Sequence, residues 1–209
     1  LQEASVIGRD FLYEILKRIS EVKSHIDGEL NHLERLDLIR ARSLQPDLEY
    51  MFKHALTQEI VYNGLLKKQR REIHEHIAVV MERIFRDRLA EFYETLAFHF
   101  ARGQSVTKAV DYLVKSGEKS LARYAVEEAH QYFKKAYDII VSKEEISEEE
   151  KIILIDILNS WGYAYYYTGE NKEFVDIFST HKALAESLDD KARAGMFYVW
   201  LGVALFMAG

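Results

Sequence analysis

Apolar residues along this chain recur mostly at intervals of three and four, the spacing that lines one face of an α-helix. Phe11, Leu12, Ile15, Leu16 and Ile19 form such a stripe and predict a helix over residues 9–20. Leu30, Leu33, Leu36, Leu38 and Ile39 predict a second over 28–39. The period then changes. Residues 41–44 and 48–52 flank Gln45-Pro46-Asp47, where proline presets φ for a turn and aspartate supports one, so a short β-hairpin is expected. Alternation places Tyr50 and Phe52 on one face of its second strand. Helical spacing resumes over 54–66, with Leu56, Ile60, Leu65 and Leu66 beside Val61 and Tyr62. It continues over 69–85, where Ile73, Ile77, Val80, Met81 and Ile84 share one side. From Glu91 onward every element is expected to be helical: 91–102, 106–122, 125–142, 148–168, 171–187 and 190–208.

Helix, helix, hairpin, helix is the order of a winged-helix module, a relative of the helix-turn-helix with a β wing. The later helices carry an internal repeat. Trp161-Gly162-Tyr163-Ala164 with Gly169 matches Leu201-Gly202-Val203-Ala204 with Gly209 at a spacing of 40 residues. A second signature is Ala129, Phe133 and Ala136, preceded by Leu113 and Gly117. Small residues let neighbouring helices approach, and the aromatic fills the gap between them. Such helices cannot bury their faces alone and must stack. Connections are short, punctuated by Gly103, Gly169-Glu170-Asn171 and Asp189-Asp190. The exception is the charged stretch 142–147, whose Ser147 is placed to cap the next helix while Glu148 to Glu150 complement its dipole. The expected fold is all-α with one small β-hairpin. A winged-helix-like domain spans 1–88, and an α-α superhelix of tetratricopeptide-like repeats spans 89–209.

Composition narrows the function classes. Of 209 residues 48% are apolar and 30% charged, with one proline and no cysteine, so disulfides and thiolate metal sites are excluded. No apolar run approaches the ~20 residues that span a bilayer, and no signal-peptide pattern opens the chain, so a cytoplasmic protein without a membrane segment is expected. Neither end reads as a natural terminus, which suggests a segment from the interior of a longer polypeptide. Net charge is −6, carried by residues 89–209; residues 1–88 hold 15 cations against 15 carboxylates. A dedicated nucleic-acid binder would be strongly basic, so nucleic acid is not an expected partner.

Several strings resemble the segment that follows the nucleotide-binding domain in bacterial and archaeal STAND-class AAA ATPases, the multidomain signalling proteins often fused to nucleotidyl cyclase or protein kinase domains. They are residues 4–11 (Ala4-Ser5-Val6-Ile7-Gly8-Arg9-Asp10-Phe11), Tyr50 to Glu59, Tyr62 to Leu66, Arg70 to His74 and Ala109 to Leu113. The resemblance covers residues 4–142 and is most specific over 50–74. It implies a winged helix packed on an upstream ATPase core, followed by repeats that form a sensor or scaffold surface. The ATPase itself is missing: no Gly-x-x-x-x-Gly-Lys-[Ser/Thr] loop occurs. The expected function is therefore a non-catalytic regulatory and protein-interaction segment. Its expected partners are its own ATPase domain and an unidentified protein on the repeats, and no cofactor is expected. The alternative is a winged-helix transcription regulator with a repeat sensor. Against it, the helix over 28–39, which would enter the DNA groove, is acidic.

The resemblance places His54 where the family's winged helix carries a histidine that reaches the β-phosphate of ADP in the adjoining domain. The family's pattern is Met-His-Asp, whereas here it is Lys53-His54-Ala55. The bland alternative is a histidine that caps or packs its helix. Lys67, Lys68, Arg70 and Arg71 form a basic cluster at a helix start, suited to an interdomain or anion contact but first of all to a solvated face beside Glu72 and Glu75. His74-Glu75-His76 does not form a helical metal pair, which needs histidines at i and i+4. His99 between Phe98 and Phe100 reads as a partly buried packing residue. Trp161, Tyr163, Tyr165, Tyr166 and Tyr167 form an aromatic cluster that suits packing between repeats better than a ligand groove. No catalytic constellation is expected.

Overall fold

The computed structural model describes residues 1–20, 25–43, 47–169 and 171–209. Two compact units divide the chain, Leu1–Val106 and Thr107–Gly209.

The first unit opens with helix α1 (Gln2–Ile7), strand β1 (Asp10–Leu12) and helices α2 (Tyr13–Ile19) and α3 (Ile26–Arg35). Strands β2 (Ile39–Ser43) and β3 (Glu49–Phe52) follow, then helices α4 (Ala55–Gly64) and α5 (Lys67–Ile84), a 3-10 stretch over Arg86–Phe92, and helix α6 (Tyr93–Phe100). The strands form an antiparallel sheet of order β1-β3-β2. Phe11 lies opposite Tyr50, and Ile39 opposite Phe52. Both Tyr50 and Phe52 pack on the Phe11 ring, at 5.9 and 5.8 Å, so the shared face expected for them is present. Around that trio Ala4, Leu16, Ile26, Leu30 and Ile39 complete the core.

Three expectations need correction. Residues 10–12 are a strand rather than the first turn of a helix, because pairing with β3 outweighs their fit to the helical stripe of α2. The hairpin is therefore two strands of a three-stranded sheet, and its turn residues 45 and 46 lie outside the described residues. The helix expected over 28–39 ends at Arg35, where Asp37 adopts a left-handed conformation (φ 62°) and redirects the chain into β2. The border expected at 88/89 falls inside the first unit. Helix α6 buries Leu96, Ala97, His99 and Phe100, and the Glu75 carboxylate accepts the N–H groups of Gln104 (2.8 Å) and Ser105 (3.1 Å). A β-carbon at Gly103 would overlap that carboxylate.

The second unit contains helices α7 (Val106–Ala122, its first residue in the first unit), α8 (Val126–Val141), α9 (Glu148–Thr168), α10 (Asn171–Thr180), α11 (Lys182–Ser187) and α12 (Lys191–Ala208). The single helix expected over 171–187 is thus two. Ser147 caps α9 as its position suggested, with Oγ accepting the Glu150 N–H at 3.2 Å and Glu150 returning a bond to the Ser147 N–H at 3.0 Å. Gly169 closes α9 in a left-handed conformation (φ 74°) that a β-carbon would strain. Ala129, Phe133 and Ala136 are fully buried, and the Phe133 ring occupies the space a β-carbon on Gly117 would need, 2.8 Å away. Among the described residues no helix is long and apolar enough to cross a membrane.

Candidate functional site

Helix α4 is the least buried of the long elements. None of its residues is fully buried. Its inner side makes few ties: Gln58 Nε2 donates to the Ser5 carbonyl at 2.6 Å, and the Tyr62 hydroxyl meets His74 Nε2 at 3.0 Å. Its outer side displays Leu56 (65% exposed) and Ile60 (63%), followed by Leu66 (69%) just beyond the helix. Ile60 follows Leu56 by four positions, so they form one ridge. The periodicity that suggested this helix could not tell the two sides apart, because apolar residues lie on both. Helix α4 is thus apolar on both sides, and its outer apolar residues are exposed.

His54 stands at the N-terminal end of this helix. It is exposed, its backbone is extended (φ −119°, ψ 125°), and its side chain makes no capping bond. The bland alternative of a capping histidine is therefore not realised. His54 thus occupies the N-cap position, at the positive dipole end of the helix, a setting that favours an anion.

The basic cluster lies at the opposite end of α4, ~15 Å away along the ten-residue helix, so the structure does not bring it together with His54. Two of its members serve the fold. Arg70 stacks 5.0 Å over the Tyr62 ring, and Arg71 Nε donates to the Gly103 carbonyl at 3.3 Å. Lys67 and Lys68 are exposed beside Leu66, with Lys68 at 4.0 Å from Glu72. The dipole of α5 receives local help from Gln69, whose Oε1 accepts the Leu66 N–H at 3.2 Å.

His74 and His76 face different ways, buried and exposed respectively. His99 is fully buried rather than partly so. What sequence reasoning missed is that the two buried histidines meet: His74 Nδ1 and His99 Nδ1 are 2.8 Å apart. His99 Nε2 is buried without a partner. A buried N–H without an acceptor costs more than a bare ring nitrogen, which fixes the tautomers. His99 carries its proton on Nδ1 and donates to His74, and His74 donates from Nε2 to the Tyr62 oxygen. Burial holds His74 down to about 4, helped by the charges of Arg102 and Arg70. Burial also holds His99 down to about 3, with His74 and Arg102 adding to it. Both rings are neutral at pH 7. The chain Tyr62–His74–His99 bolts α4, α5 and α6 together, and full burial denies His99 contact with any substrate.

In the second unit Val110, Val114, Ile153 and Ile157 line a shallow cavity of about 340 Å³ with Thr107, Asp111 and Asp156. Both carboxylates are paired, Asp111 with Lys115 (2.7 Å) and Asp156 with Arg193 (2.6 Å). The aromatic cluster divides. Trp161 and Tyr165 are core, Tyr163 packs edge-on against Trp200 at 4.7 Å, and Tyr166 and Tyr167 face solvent against each other. Among the described residues no group of three or more histidines and carboxylates could hold a metal.

No protein-family model matches this sequence, and no solved structure matches it. It is similar to an uncharacterized protein of Rhizobium meliloti (strain 1021), 31% identical over 113 residues that cover 52% of this chain. The match spans 11% of that relative's length.

Proposed function

We propose that this chain is a non-catalytic regulatory and protein-interaction segment of a multidomain, cytoplasmic signalling ATPase of the STAND class, of the kind linked to adenylate or guanylate cyclases. The first unit acts as the winged-helix-like element that docks on the nucleotide-binding domain. The second acts as a tetratricopeptide-like array that receives a partner protein. Helix α4 carries this proposal: its outer ridge of Leu56 and Ile60 has no cover within the unit, and His54 stands exposed at the anion-favouring end of the same helix. Docked there, the imidazole would donate to the β-phosphate of ADP held by the neighbouring domain and favour the closed state. A partner on the repeats that binds the open form better would shift that equilibrium. The match to one tenth of a much longer relative agrees with a segment of a multidomain polypeptide. The transcription-regulator alternative has no comparable support, because α3 turns Asp27 and Glu29 to solvent, where duplex phosphates would lie.

His54→Ala, made in the polypeptide that includes the nucleotide-binding domain, is expected to speed release of a fluorescent ADP analogue about tenfold, the worth of one charge-assisted hydrogen bond. An unchanged release rate removes His54 from the nucleotide site.

A further inference from the structure

Two helical glycines in the second unit have an evident purpose. Gly117 makes room for the Phe133 ring, and Gly162 of α9 makes room for the Trp200 indole of α12, which a β-carbon would overlap. Two others, Gly195 and Gly202 of α12, have nothing within 4 Å of where a β-carbon would be. Glycine inside a helix is costly relative to alanine, so an idle one needs a reason. Gly195, Val199, Gly202 and Phe206 follow one another at steps of four, three and four, a single seam along the helix. Val199 is 57% and Phe206 87% exposed, Met196 and Leu205 flank them, and no charged residue occurs from Ala194 to Gly209. Helix α12 is therefore apolar both on the side that packs on α9 and on the side that faces solvent.

The internal repeat says what belongs there. Gly202 is the counterpart of Gly162 one repeat of 40 residues later. Gly162 is filled by an aromatic 38 residues further along, Trp200. We propose that Gly202 is the next socket of the same series, and that the outer face of α12 is covered by a further helix of this array. That helix presents a large aromatic side chain 38 residues beyond Gly202. The α9–α12 interface supplies the pattern: a glycine on the inner helix, an aromatic on the outer one, and alanine (Ala164, Ala204) two positions after the glycine to keep the axes close. This inference rests on the repeat register and the uncovered face of α12, and stands apart from the proposed ATPase partnership.

The test is a reversal of sign. In the 209-residue chain, Gly202→Leu meets open space and gains helix propensity, so the thermal midpoint is expected to rise by about 2–4 °C. Appending a second copy of residues 170–209 after Gly209 places a copy of Trp200 38 positions beyond Gly202. In that lengthened chain Gly202→Leu is expected to lower the midpoint by about as much or more and to release the added helices to proteolysis, while Gly162→Leu lowers it in both chains. Three results would overturn the proposal. The first is a rise with Gly202→Leu in both chains. The second is added helices that gain no protection even with Gly202 intact. The third is a concentration-dependent dimer of the 209-residue chain that Gly202→Leu dissolves, since a second copy would then be the occupant.

Discussion

Lowering the pH from about 6.5 towards 4 is expected to destabilise the first unit steeply, with His74 and His99 as the cause. Both histidines are neutral in the folded unit because burial holds them down to about 4 and about 3. In the unfolded chain they titrate near 6.5, so below that pH the unfolded state binds protons that the folded state refuses. A group whose folded value lies below its unfolded value loses stability as pH falls. The window here runs from about 6.5 down to about 4. Where both sites differ fully, the slope reaches about 1.4 kcal/mol per pH unit for each histidine, roughly 2.7 for the pair. Protonation also breaks the bolt itself, since two cationic rings 2.8 Å apart leave neither Nδ1 an acceptor. Hydrogen exchange of the α5 and α6 amides at pH 7, 5.5 and 4.5 measures this. The double change His74→Leu with His99→Leu should flatten the dependence relative to the parent. Equal slopes in the two proteins would show that the pair is not its source.

Trp161→Ala is expected to cost the second unit about 3–5 kcal/mol. The indole is fully buried, with ring centroids 4.7 Å from Tyr165, 5.3 Å from His130 and 5.5 Å from Tyr137. Its Nε1–H donates to His130 Nδ1 at 3.1 Å. Truncation therefore leaves a large cavity among rigid rings that relax poorly, and removes a buried hydrogen bond as well. Urea unfolding followed through the remaining Trp200 gives the loss as a shift in midpoint at unchanged slope. Trp161→Phe should cost less than half as much. A loss below about 1 kcal/mol for the alanine change would mean that these rings do not form the unit's core.

Period and punctuation revealed much of the fold in the sequence. The long helices of the second unit are where the three-and-four spacing put them, because each has at least one side that must be covered. The Ser147 cap and the Gly169 stop were legible for local reasons, a side-chain oxygen and a left-handed backbone that belong to single residues. Strand β1 was not legible. Three residues cannot display a two-residue period, and Phe11 and Leu12 also fit the stripe of the helix that follows. The candidate site was legible only in part. Residue type pointed to His54, but the emptiness beside it was hidden, because Leu56 and Ile60 look like core residues until the fold turns them outward. The His74–His99 pair was hidden for a different reason: 25 positions separate two residues that only the α5–α6 packing joins.

The proposed docking makes the outer face of α4 an interface with a nucleotide-binding domain of the same polypeptide. Replacing Leu56 and Ile60 with aspartate tests it most directly, read by hydrogen exchange over residues 55–64 and by ADP release. In the 209-residue chain these amides should exchange alike with and without the changes, since both side chains already face solvent. In the polypeptide that includes the nucleotide-binding domain, the parent should show added protection over α4, and the double change should abolish that protection and hasten ADP release together. Equal exchange over α4 with and without that domain, with ADP release indifferent to the double change, would show that α4 does not dock there.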